Sequence, residues 1–160
     1  MAIQKGEKIP NITLTTMAQG KPEAVETARL LADKKVVLFS LPGAFTPTCS
    51  ARHLPGFIQN ADAFREKGVD LIICTAVNDA FVMDAWGKAQ GAGDKVMMLA
   101  DGNGDFADAL GLAFDARGFG MGRRGMRFSM VINDGVIEQL NIEEPGAFHV
   151  SSAEHVLSQI

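Results

Sequence analysis

Only two cysteines, three histidines and one tryptophan occur in the 160 residues, and tyrosine is absent. Two cysteines cannot staple a chain of this length, and His53, His149 and His155 are too widely spaced to make a zinc pattern with them. Long apolar runs are missing as well. The longest, Val36–Phe39, Leu71–Cys74 and Val96–Ala100, fall far short of the ~20 residues that a spanning helix needs, so no membrane partner is expected. Neither sign of charge dominates: 15 Lys and Arg stand against 19 Asp and Glu, a net charge of −4. That balance gives no basic face for nucleic acid. The first ten residues show no charged segment leading into an apolar one, so a cytoplasmic chain is expected. Without repeats, low-complexity tracts or linkers, residues 1–160 read as one domain.

Two loops mimic ligand sites and fail on composition. Asp101-Gly102-Asn103-Gly104-Asp105 begins like a calcium loop, but Phe106 stands where Gly is needed and Leu112 where Glu is needed. Gly118-Phe119-Gly120-Met121-Gly122 lacks the third glycine of a dinucleotide fingerprint, because Arg123 occupies it. Neither loop is read as a ligand site.

What the sequence does contain is an ordered alternation of buried strands and helices. Val36–Ser40 reads as a buried strand leaving through Leu41-Pro42-Gly43. Thr46-Pro47 then starts a helix expected to run to about Lys67 and stop at Gly68. Val69–Val77 is a second strand. Asn78 is expected to cap a helix ending near Gly91. Val96–Ala100 is a third strand and Asp105–Leu110 a short helix, followed by an irregular loop over residues 115–125. Met126–Ile132 and Val136–Ile142 flank Asp134-Gly135, a strong hairpin signal, and Ser151–Glu154 caps a last helix. Parallel units followed by an antiparallel hairpin make an α/β protein with a mixed central sheet and helices on both faces, in the thioredoxin-like arrangement.

Cys49 falls in the first turn of the helix that leaves the first of these strands. Free N–H groups and the positive end of the helix dipole stabilise a thiolate there, which makes a nucleophile; the competing reading is a small buried hydrophobe. A second cysteine three residues away, the mark of a dithiol reductase, is missing, since residue 52 is Arg and residue 46 is Thr. His53 lies on the same side of the helix and could perturb the thiol, though a surface histidine bonded to backbone or water is the commoner case.

The run Pro42-Gly43-Ala44-Phe45-Thr46-Pro47-Thr48-Cys49-Ser50, continued by His53-Leu54-Pro55-Gly56-Phe57, resembles the peroxiredoxins, and among them the peroxiredoxin-5 and plant type II subfamily. The likeness extends through Val77–Val82, Trp86, Leu99–Asp101 and Arg127-Phe128-Ser129-Met130, nearly the whole chain. It implies a thiol peroxidase in which Cys49 attacks hydrogen peroxide or an alkyl hydroperoxide and becomes a sulfenic acid, with neither a metal nor an organic cofactor. By the same likeness Thr46 bridges thiolate and peroxide, Arg127 holds the thiolate and polarises the peroxide, and Pro42 shields the thiol from water. On spacing alone Thr46 could equally be a helix cap, and Arg127 is one of four arginines between 117 and 127; only the resemblance selects it. Gly43, Phe45, Phe119 and Met121 are expected around the substrate entrance.

In some members of that subfamily a resolving cysteine lies in the segment that here reads Gly146-Ala147-Phe148-His149-Val150-Ser151-Ser152, without Cys. The departure implies a one-cysteine cycle, with glutathione as co-substrate and glutaredoxin or thioredoxin as partner; the resemblance itself implies a homodimer. Cys74, in mid-strand, reads as a buried inert thiol. The alternatives are that it resolves the sulfenic acid in a thioredoxin-linked cycle, or that the chain is a non-enzymatic holdase or redox sensor.

Overall fold

The computed structural model describes residues 2–160. Among the described residues nine strands and six α-helices follow one another: β1 (Thr13–Ala18), β2 (Lys21–Glu26), α1 (Thr27–Leu31), β3 (Lys35–Ser40), α2 (Leu54–Gln59), α3 (Ala61–Glu66), β4 (Leu71–Ala76), α4 (Ala80–Gln90), β5 (Met97–Ala100), α5 (Asp105–Leu110), β6 (Ala113–Asp115), β7 (Arg123–Gly125), β8 (Phe128–Asn133), β9 (Val136–Ile142) and α6 (Ala153–Ser158). Seven strands make one sheet in the order β2-β1-β5-β4-β3-β8-β9, and β6 pairs only with β7. β3, β4 and β5 are parallel, while β8 runs antiparallel to both β3 and β9.

The side-chain period of two sorts the central strands between two cores. Val37 and Phe39 of β3, with Ile72, Cys74 and Ala76 of β4, face the core built by α2, α3, α4 and α6. Val36, Leu38 and Ile73 face the other, which holds Leu31 of α1 and Phe106 and Leu110 of α5. Helices therefore cover both faces of a mixed sheet. Cys49 and Cys74 belong to the same core.

Four local features depart from the expectations. The hairpin β1–β2 turns on Gln19-Gly20, both with positive φ, without the Asn-Gly or Asp-Gly that marks such turns. The loop after α5 contains a short ladder, β6–β7. The single helix expected from Thr46 to Lys67 is broken twice. Around Cys49–His53 it widens into a π turn, Leu54 N–H donating to the Cys49 carbonyl; Pro55, which follows, has no N–H and would collide with the residue 51 carbonyl in a regular helix. At Asn60 the side-chain amide competes for the Gly56 carbonyl at 2.7 Å, and the chain bends there. Finally, Asp79 rather than Asn78 caps α4, accepting from Val82 N at 2.8 Å. Asn78 is engaged elsewhere, its Oδ1 accepting from Ala44 N at 2.9 Å and fastening the loop before Cys49.

Thr75 Oγ1, buried on β4, has no hydrogen-bond partner among the described residues. Replacing Thr75 by the isosteric Val is expected to raise the unfolding free energy by about 1 kcal/mol, because an unsatisfied buried hydroxyl is removed without loss of volume. Urea denaturation of the two proteins measures it, and a Val variant less stable than the parent would refute the assignment.

Candidate active site

β3 delivers the chain through Leu41 into Pro42–Phe45, and Thr46 begins the helical turn that carries Cys49. Thr46 stands at the cap position by its backbone, its carbonyl accepting from Ser50 N at 2.9 Å. Its hydroxyl does not cap: it donates to the Gly43 carbonyl at 2.7 Å. With that proton committed, the Thr46 oxygen can only accept from a further partner. Phe45 takes a left-handed conformation, φ 65°, uncommon for an aromatic residue. Its ring is 58% exposed and stands 6.4 Å from that of Trp86, whose indole N–H donates to Ser50 Oγ at 3.0 Å.

Cys49 is fully buried and free. Arg127 reaches it from the start of β8, 78 residues away in sequence, Nη2 donating to Sγ at 3.1 Å. The same guanidinium donates through Nη1 to His53 Nδ1 at 2.8 Å, and His53 Nε2 lies 3.0 Å from the Ser151 carbonyl. A carbonyl can only accept, so the proton sits on Nε2 and Nδ1 offers its lone pair to Arg127. His53 is thus buried in the core and not on a helix surface. Burial, reinforced by the Arg127 charge, pushes its pKa down to about 3, against the opposing pull of the Ser151 carbonyl. It is a neutral acceptor that orients Arg127.

The segment after β9 completes this arrangement through Glu143, which the sequence reading overlooked. One carboxylate oxygen, Oε2, accepts from His149 N, Val150 N and Ser151 N at 2.7–2.9 Å and from Ser151 Oγ at 2.7 Å. Burial alone would raise its pKa, but the Ser151 hydroxyl and the three amides hold it below the usual carboxylate range. The clamp sets Phe148 edge-on to His53, ring centroids 5.0 Å apart, with Arg52 4.7 Å and Arg127 5.8 Å from its centroid.

A cavity of about 520 Å³ opens beside this group. Pro42, Thr48 and Arg127 lie along it, with Phe119, Met121 and Met126 as apolar wall. Of the residues expected at the entrance, Phe119 and Met121 line it. Phe45 does not, turning toward Trp86 instead, and Gly43 is buried beneath Met121 and Arg124. Cys74, fully buried in β4 opposite Phe39, has its thiol pKa raised, first by burial and then by negative charge on Cys49. Among the described residues no group of three His, Cys, Asp or Glu could hold a metal ion.

Comparison with known proteins agrees with this geometry. The Redoxin family model matches residues 4–157. The chain is 47% identical to Peroxiredoxin-2E, chloroplastic, of Arabidopsis thaliana over 99% of its own length and 70% of that protein, and 43% identical to Peroxiredoxin-2B of the same plant over 99% and 98%. A crystal structure of reduced Prx3 from Vibrio vulnificus in complex with hydrogen peroxide superposes with a TM-score of 0.95 at 50% identity, covering 98% of both chains. With a buried cysteine held by an arginine that lines an adjoining cavity, in a thioredoxin-like fold, and with relatives this similar along the whole chain, the chain belongs to the redoxin family and, within it, to the peroxiredoxins, the thiol peroxidases that act on peroxide.

Proposed function

We propose that Cys49 is the peroxidatic residue, that it reduces hydrogen peroxide and alkyl hydroperoxides, and that glutathione, with glutaredoxin, recycles it without a second cysteine. The observation that carries this reading is the 3.1 Å bond from Arg127 Nη2 to Cys49 Sγ beside the cavity. The guanidinium gives the sulfur a charge-assisted donor. The thiolate attacks one peroxide oxygen in line, the O–O bond breaks, and its electron pair leaves on the other oxygen, which takes a proton as water or alcohol. Cys49 keeps the first oxygen as sulfenic acid. Arg127 faces the negative charge throughout, and the Thr46 oxygen accepts the hydrogen of the incoming hydroperoxide. Pro42, lining the cavity, limits water at the thiolate, while Phe119 and Met121 receive an alkyl group. Glutathione then displaces water from the sulfenic acid to form a mixed disulfide. A second thiol, from glutathione or glutaredoxin, releases Cys49 and leaves the oxidised partner.

The one-cysteine cycle is supported by the segment 146–152, which lacks Cys, and by the depth of Cys74 in the central sheet. One observation favours a second reading: Cys74 and Cys49 face the same core, so a thioredoxin-linked cycle with Cys74 as resolving partner has a geometric starting point. Intact-mass measurement after one equivalent of hydrogen peroxide, with and without glutathione, on wild type and Cys74→Ser separates the two. Addition of one oxygen, then of one glutathionyl group at Cys49 in both proteins, is the expected result. Loss of two hydrogens in the wild type, with glutathione uptake only by Cys74→Ser, establishes the resolving role instead. A homodimer belongs to the same reading, supported by Phe45 and Phe81, 58% and 63% exposed, one residue after Ala44 and three after Asn78, which the Ala44 N–Asn78 Oδ1 bond joins. A native mass of one 17.1 kDa chain would refute it.

A further inference from the structure

Three arginines of the 113–125 excursion serve different ends. Arg117 pairs with Asp115 and Arg123 with Asp108, all at the exposed surface. Arg124, in β7 and half-buried, has no carboxylate within 4 Å among the described residues. Its guanidinium is divided between two backbone carbonyls: Nη1 donates to Pro42 O at 3.1 Å and Nε to Met121 O at 2.9 Å. Pro42 and Met121 both line the cavity, one from the cysteine loop and the other from the apolar wall.

That wall lies outside the seven-stranded sheet. Phe114, Ala116, Phe119 and Met121 all belong to the β6–β7 excursion, a two-stranded sheet apart from the main one, with left-handed glycines at 120 and 122. The other side of the joint carries a matching signature. Gly43 does not have positive φ, so its backbone conformation does not require glycine. A Cβ there would stand 2.6 Å from Arg124 Nη1 and 3.5 Å from the Met121 methyl. Residue 43 is without a side chain because the guanidinium occupies that space.

We propose that Arg124 is a positioning residue that fixes the separation between the cysteine loop and the apolar wall, and so sets how well the protein accepts bulky hydroperoxides. The inference rests on the reading of the cavity as the hydroperoxide site. Hydrogen peroxide has no group to place on the wall. An aryl-alkyl hydroperoxide gains affinity from a wall already in position, and loses it when ordering the wall must accompany binding.

The test is steady-state kinetics with hydrogen peroxide and cumene hydroperoxide on wild type, Arg124→Gln, Arg124→Lys and Gly43→Ala. Loss of preorganisation is expected to raise the ratio of KM for cumene hydroperoxide to KM for hydrogen peroxide by about fivefold in Arg124→Gln, with a smaller change in kcat. Gly43→Ala, which displaces the guanidinium from the opposite side, moves the ratio the same way with Arg124 intact. Arg124→Lys restores the charge but not both bonds, and recovers only part of the loss. An unchanged ratio in Arg124→Gln and Gly43→Ala overturns the proposal, as does full recovery in Arg124→Lys, which would make the effect one of charge alone. Gly43→Ala and Arg124→Lys keep the test decisive should Arg124→Gln fail to fold. Failure of the wild type to consume either peroxide would instead refute the reading of Cys49 as peroxidatic.

Discussion

Arg127→Gln is expected to lower kcat/KM for hydrogen peroxide by about a hundred- to a thousandfold, the range found when a preorganised donor to developing charge is removed. Two losses combine. The thiolate loses its charge-assisted donor at 3.1 Å, and the leaving oxygen loses the cation nearest to it. Lysine should rescue little, because an ammonium cannot replace the planar fork that donates to Cys49 Sγ and His53 Nδ1 at once. Stopped-flow peroxide consumption measures both variants. A loss below about tenfold for Arg127→Gln would show that another group carries the charge stabilisation.

Acid is expected to weaken the fold through His53 well before the carboxylates titrate. In the unfolded chain the imidazole takes up a proton near its ordinary value of 6.5, whereas in the folded core it does so only at about 3. Between those values the unfolded state holds one more proton. The stability that His53 permits is therefore complete above pH 6.5 and is withdrawn as pH falls toward 3, by about 2 kcal/mol on reaching pH 5. Glu143 acts in the same direction lower down: its folded pKa is depressed, so its contribution is present above its unfolded value and fades as pH drops through the folded one. Urea denaturation at pH 7, 6 and 5 should show wild type losing stability faster than His53→Gln. Parallel curves would mean that the imidazole protonates in place.

The placement of the candidate site was legible in the sequence where it is local. Pro42, Thr46 and Cys49 sit on one loop and turn, and their spacing survives any detail of packing. Arg127 is singled out only by the family resemblance of Arg127-Phe128-Ser129-Met130, since nothing in its four-arginine neighbourhood says which one turns inward. His53 was misplaced for a related reason. Spacing puts it on the side of Cys49, but its burial depends on Phe148 and Ser151, nearly a hundred residues on. Glu143 and Arg124 make their decisive bonds to backbone atoms, which carry no residue identity to read. In the fold, the strongly apolar strands β3, β4 and β8 announced themselves, whereas β2, mostly exposed and written Lys-Pro-Glu-Ala-Val-Glu, has no buried face to produce an alternation.

That same strand determines how the sheet meets its surroundings. β2 closes one margin, where unpaired amides and carbonyls could recruit a strand from another molecule. Pro22 withholds one donor, and Lys21, Glu23 and Glu26 place charge along the rim. At the opposite margin β9 is partly roofed by the N-terminal segment: Gly6 N donates to Ile137 O at 2.8 Å, Ile137 N to Glu7 O at 2.9 Å and Ile9 N to Gly135 O at 2.8 Å. Pairing with a strand from another molecule is thereby disfavoured along β2 and over the first residues of β9.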